Sequence, residues 1–145
     1  MKHFYLLCFF FLNLYNAQIF DLVPLIENGP RDKRINLVIV GDGYTASEQS
    51  TFLTDASFVS DYLMDKEPYS NYKNYFNVFA LKVISPESGV KHPGTASDVS
   101  EPVIPVSNPN NYFNTSYDTS GTHRCIYGSV NKVTETLAEH IPEFD

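Results

Sequence analysis

Ile35-Asn36-Leu37-Val38-Ile39-Val40-Gly41-Asp42-Gly43-Tyr44-Thr45-Ala46-Ser47-Glu48 is the stretch on which the fold turns. Four of its first six residues are β-branched, and the run is nearly unbroken in apolar character. Such a run predicts a strand covered on both faces, as in a parallel or mixed sheet. Gly41-Asp42-Gly43-Tyr44 ends that strand sharply. Thr45 with Glu48 three residues on forms a capping box, in which two side chains satisfy free backbone N–H groups at a helix start. The spacing then predicts a helix from about Ala46 to Met64, with Phe52, Ala56, Val59 and Leu63 on one face. Pro68 stops it. Tyr69 to Phe76 reads as a short aromatic helix or turn, and Asn77 to Ile84 as a second strand. Strand, helix and strand make a βαβ-like unit, right-handed by the usual chirality. The fold class that follows is α/β, a mixed sheet with flanking helices.

Outward from this unit, Ile19 to Ile26 is mostly apolar but interrupted by Pro24, which fits an edge strand. Residues 27–32 form a turn cluster, so 18–34 reads as an edge strand and linker. Before it, Lys2 and His3 precede the uncharged run Phe4 to Leu12. The run is far short of the roughly 20 residues that span a bilayer. A charge before it and Ala17 after it favour an export signal over a buried helix, with 1–17 removed. Bulky Tyr15 leaves the exact cleavage bond open. The mature chain is then expected outside the cytoplasm, secreted, periplasmic or on the cell surface, with no membrane span.

Toward the C-terminus, residues 85–111 hold five of the nine prolines. This predicts a long ordered loop with short extended pieces. Ser129 is placed to cap a last helix carrying Val130, Val133, Leu137 and Ile141 on one face, with Pro142 ending it. The chain stops at Asp145, where a βαβ layout would start another strand, so a fragment is expected.

The 145 residues are 43% hydrophobic, 14% aromatic and 19% charged. These values exclude disordered, collagen-like and disulfide-dense classes. Without the signal 128 residues remain, about one domain. The net charge is −7; without Lys2, 9 basic residues face 17 acidic ones, a charge of −8. So acidic a chain has no electrostatic footprint for nucleic acid.

Gly41-Asp42-Gly43-Tyr44-Thr45-Ala46 fits the G-x-G-x-x-A dinucleotide pattern formally. However, Asp42 would set a negative charge beside a pyrophosphate, and Tyr44 would crowd a loop that must approach it closely. A structural turn is the better reading of Gly41, Asp42, Gly43 and Tyr44. His123-x-Cys125 offers two possible zinc ligands and His92 a conceivable third, but no H-x-x-x-H or C-x-x-C spacing prearranges a site. Cys125, alone once Cys8 leaves with the signal, reads as a small buried hydrophobe. His140 reads as a surface residue suited to a helix C-terminus. Asp61 and Asp65 read as a solvated helix face. No nucleophile elbow is present. By residue chemistry alone the chain shows no complete catalytic set.

Val38 to Glu48 (Val-Ile-Val-Gly-Asp-Gly-Tyr-Thr-Ala-Ser-Glu) resembles the opening strand–turn–helix of the IgA-cleaving zinc metallopeptidase family. The resemblance continues through Glu67-Pro68-Tyr69 with Tyr72, Phe76-Asn77-Val78, Ser85-Pro86-Glu87-Ser88-Gly89, Ser116-Tyr117-Asp118 with His123-Arg124, and His140 to Asp145. It spans about residues 35–145, in the same order. It implies an exported zinc endopeptidase with a zincin-like fold, acting on protein or peptide. The family's His-Glu-x-x-His helix holds the metal and a general base, and this sequence contains no such motif. Residues 35–145 are thus expected to be the N-terminal part of the catalytic domain, with no catalytic residue and no zinc ligand in this chain. Zinc would belong to the full-length protein. The sheet and the 85–111 loop are expected to wall the substrate groove, with His123 and Arg124 as candidates near it. Two competing classes stand beside this one: a non-catalytic exported binding module for protein or glycan, and an unrelated secreted α/β hydrolase fragment.

Overall fold

Among the described residues, three strands and three α-helices follow from local chemistry. The structure is a computed structural model, and it describes residues 18–145; the expected export signal, 1–17, lies outside the described residues. Strand β1 (Leu22–Ile26) leads to β2 (Ile35–Val40). A 3-10 turn over Ala46–Glu48 opens helix α1 (Gln49–Met64). The capping box forms: the Thr45 N–H donates to Glu48 Oε2 at 2.8 Å, and the Thr45 hydroxyl donates to the same oxygen at 2.7 Å. One helical turn, α2 (Tyr69–Tyr72), and a 3-10 turn precede β3 (Phe76–Leu81). Helix α3 (Val130–His140) closes the chain, with Ser129 Oγ accepting from the Lys132 N–H.

The sheet order is β1-β3-β2, with β1 antiparallel and β2 parallel to β3. It is a small mixed sheet, and β1 with Pro24 does lie at an edge. β3 is the strand covered most fully: Val78, Phe79, Ala80 and Leu81 are all buried. Its side chains alternate between two layers, as a pleated strand requires. Ala80 meets Phe52 and Ala56 of α1 on one face. Phe79 and Leu81 meet Phe20, Phe113, Leu137 and Ile141 on the other. β2 feeds the same layers, Ile39 toward α1 and Val38 and Val40 away from it. It is nevertheless only half-buried, because it is an edge of the sheet among the described residues.

The buried row of α1 corrects the expected one. It runs Gln49, Phe52, Ala56, Ser60 and Met64, whereas Val59 is 50% exposed. After Ala56 the helix keeps a spacing of four, which carries Ser60 under it and leaves Val59 outside. Leu137 on α3 and Ile141 just past its end are buried as expected, but Val130 in the first turn is 56% exposed. Residues 85–111 contain no helix and no strand. They are held by isolated bridges, His92 to Ser107 and Lys91 to Ser116. Beyond α3 the chain reaches the outer edge of β2: the Asn36 N–H donates to Asp145 Oδ2 at 2.9 Å, and Asn36 Nδ2 donates to the Glu143 carbonyl at 2.7 Å.

Candidate functional site

The Gly41–Tyr44 turn owes its shape to Asp42. Asp42 Oδ1 accepts from the Gly43 N–H (2.9 Å), the Ser85 hydroxyl (2.8 Å) and the Tyr112 N–H (2.7 Å). Oδ2 accepts from the Phe113 N–H (3.0 Å), the Thr115 N–H (3.2 Å) and the Thr115 hydroxyl (2.8 Å). Burial alone would raise its pKa; donors from Ser85, Thr115 and Phe113 outweigh that and hold it below the usual carboxylate range. Gly43 is required for a separate reason. Its φ is +76°, and a Cβ there would stand 2.4 Å from the Gly89 carbonyl oxygen. All the ligating capacity of this carboxylate is spent on the protein's own loop.

A second constellation joins the 85–111 loop to the segment that follows it. Backbone pairing with Ser107, at 2.9 and 3.0 Å, fixes His92. The His92 ring is fully buried, and neither of its nitrogens has a hydrogen-bond partner. Its Nε2 stands 3.5 Å from Glu101 Oε2 and 3.5 Å from Asp118 Oδ2. His123 Nδ1 stands 3.2 Å from Glu101 Oε1 and 3.1 Å from Asp118 Oδ1. Asp118 is held in a left-handed conformation, φ 61°, and accepts from the Thr95 N–H at 3.0 Å. Burial opposes ionisation of Asp118; the Thr95 N–H, the His123 ring and His92 nevertheless keep its pKa lowered. His123 is oriented by stacking on Tyr117 and by its own N–H donating to Asp98. No Lys or Arg pairs with Glu101 or Asp118 among the described residues.

Of the residues the sequence singled out, His92 and His123 meet here, 5.4 Å between ring centroids. Arg124, the next residue, is exposed. Cys125 takes no part, and it is exposed rather than buried. Its backbone closes a turn on Thr122, which throws the side chain outward. His140 is partly buried rather than a free surface residue. Its Nε2 accepts from the Phe20 N–H at 2.9 Å, leaving Nδ1 to face the Thr136 carbonyl at 2.8 Å. Glu101 and Asp118 escape sequence reading, because neither has a ligand-like spacing to a histidine.

Two hollows stand out among the described residues. One of about 700 Å³ lies at the N-terminal ends of β2 and β3, between Arg34, Ile35 and the rings of Tyr69, Tyr72 and Tyr75. The smaller, about 310 Å³, lies at the C-terminal end of β2, between Val40, Asp42, Phe113, Thr115 and Tyr127. In open α/β sheets it is the C-terminal ends of the strands that carry ligands, which favours the smaller one. Among the described residues no helix is long and apolar enough to cross a membrane.

The fold and the turn define a small mixed α/β layer that opens with a strand–turn–helix at Gly41-Asp42-Gly43. Residues 23–144 match the family described as IgA Peptidase M64, and the chain belongs to that metallopeptidase family. No match is found among the curated proteins.

Proposed function

We propose that this chain is the N-terminal part of the catalytic domain of an exported zinc metallo-endopeptidase, with the zinc motif encoded beyond Asp145. One observation carries the reading. The family match runs across residues 23–144, yet the 145 residues contain no His-Glu-x-x-His. The residues present do not fit the catalytic zinc of such an enzyme, which needs two histidines one helical turn apart and a glutamate base between them. No catalytic step is therefore assigned to this chain.

Its part is substrate binding. The outer side of β2 from Leu37 to Val40 has no strand partner among the described residues, and an extended peptide can pair with such an edge through its backbone. The hollow at Val40 and Thr115, walled by Phe113, Ile126, Tyr127 and Val133, would take a side chain of that peptide. Exposed Arg124 and its partly buried neighbour His123 are the candidates for contact with substrate charge.

The test starts with the reading frame after Asp145, where a His-Glu-x-x-His is expected. The full product should hydrolyse an unstructured protein, lose turnover to a chelator and regain it with zinc. Replacing the motif glutamate by glutamine should lower kcat by about 100-fold or more. N-terminal sequencing of exported protein should begin at Gln18. A reading frame without the motif, or hydrolysis that survives chelation, overturns the proposal.

A further inference from the structure

We propose that His92, Glu101, Asp118 and His123 form a structural zinc site that ties the 85–111 loop to residues 118–123, separate from the catalytic centre proposed above and not dependent on it. With one donor atom taken from each side chain, the four lie within 4.8 Å of one another. Tetrahedral zinc with bonds of about 2.0–2.2 Å places its ligands roughly 3.3–3.5 Å apart. The imidazole–carboxylate separations are 3.1, 3.2, 3.5 and 3.5 Å, each histidine facing a different oxygen of each carboxylate, so a four-atom donor set spanning up to 4.8 Å must draw in by about an ångström around the ion.

Three further observations point to a cation. His92 Nε2 is completely buried, aimed at two carboxylates, and bonded to neither; a metal ion between them supplies its missing partner. Both carboxylates are largely buried, 10% and 0% exposed in their side chains, with no Lys or Arg beside them among the described residues. Two neutral imidazoles and two carboxylates carry a charge of −2, which a divalent ion cancels. Buried charge is costly unless compensated in this way.

The donor set selects the metal. Two imidazoles suit zinc and its transition-metal neighbours, whereas calcium and magnesium prefer oxygen alone. Four protein ligands leave no open position, which marks a structural site. The site joins positions 92, 101, 118 and 123, cross-linking a segment whose one regular piece is the 3-10 turn Thr119–Gly121.

The test uses the untagged, chelator-stripped chain. Calorimetry with Zn²⁺ should give one ion per chain, and Co²⁺ should develop the visible absorption of a tetrahedral complex. Free Zn²⁺ at a hundredfold excess over Kd should raise Tm by about 8 °C, while Ca²⁺ and Mg²⁺ leave it unmoved. His123→Ala, at a partly exposed position, and Glu101→Gln should each weaken binding beyond the roughly 10–100-fold that loss of a mere supporting partner costs. Circular dichroism checks that both remain folded. Cys125→Ser should bind as the parent does. Absence of stoichiometric zinc uptake, parental affinity in both ligand variants, or loss of binding in Cys125→Ser overturns the proposal.

Discussion

Replacing Asp42 by asparagine changes one atom and no volume. Whichever oxygen becomes the amide nitrogen, it faces two backbone N–H groups: Gly43 and Tyr112 at Oδ1, or Phe113 and Thr115 at Oδ2. The Ser85 and Thr115 hydroxyls can turn round to accept; backbone N–H groups cannot. Two donors are then left against a donor, each costing about 1–3 kcal/mol when buried. Asp42 is only half-buried, so water relieves part of this, and about 2–4 kcal/mol is expected for Asp42→Asn. Urea unfolding followed by far-UV circular dichroism reads the change, with the midpoint falling and the slope kept. Asp55→Asn is the matched control. Asp55 is exposed and accepts only the Tyr44 hydroxyl, so less than about 1 kcal/mol is expected. A loss under about 1 kcal/mol for Asp42→Asn, equal to that control, would refute the accounting of donors.

The same carboxylate gives the protein an acid limit. Its folded pKa lies below the ordinary value, so between the two values the unfolded chain binds more protons than the folded one. Stability from Asp42 is complete above its unfolded pKa and declines as the pH falls through the depressed folded value. Asp42→Asn should flatten that part of the acid-unfolding curve; an unchanged curve argues against it.

Other outcomes follow from the packing. Gly43→Ala forces a side chain into a left-handed turn and against the Gly89 carbonyl, and a loss of about 2–4 kcal/mol in urea midpoint experiments is expected. Phe52→Ala empties the layer between α1 and β3 at about 3–4 kcal/mol, whereas Val59→Ala on the exposed face should stay within about 0.5 kcal/mol; thermal unfolding distinguishes them. Asn77 is buried and links Asn28, Gly29 and Asn36 through its amide. Asn77→Ala should cost about 2–3 kcal/mol, and hydrogen exchange should show the 28–36 turn opening first.

Much of the sheet and its first helix is legible in the residues. The β-branched run 35–40 can hardly be anything but a strand, and Thr45 with Glu48 announces where the helix starts. Choosing the buried row of that helix is harder. Hydropathy ranks Val59 above Ser60, yet the space beneath α1 admits the serine. The turn at Asp42 is visible, but the role of its carboxylate is not, because most of its partners lie at 112–115. The same holds for the four-residue cluster. Helical ligand motifs show as short spacings, whereas 92, 101, 118 and 123 are united only by how an irregular loop folds. Cys125 fails for the opposite reason: its chemistry suggests an interior position, and a tight turn on Thr122 overrules it.

Asp42 also sets an order of events. Its contacts with Tyr112 and Thr115 join residues 70 and 73 positions apart. At roughly 5–20 residues per second of synthesis, the carboxylate emerges some 4–14 seconds before those donors exist. Until then only Gly43 and, later, Ser85 can answer it. A polypeptide arrested short of Tyr112 should therefore carry a formed strand–helix unit whose Gly41–Tyr44 turn is not yet tied down, open to proteases at the 85–111 loop, and become resistant only when about the last quarter of the chain has arrived.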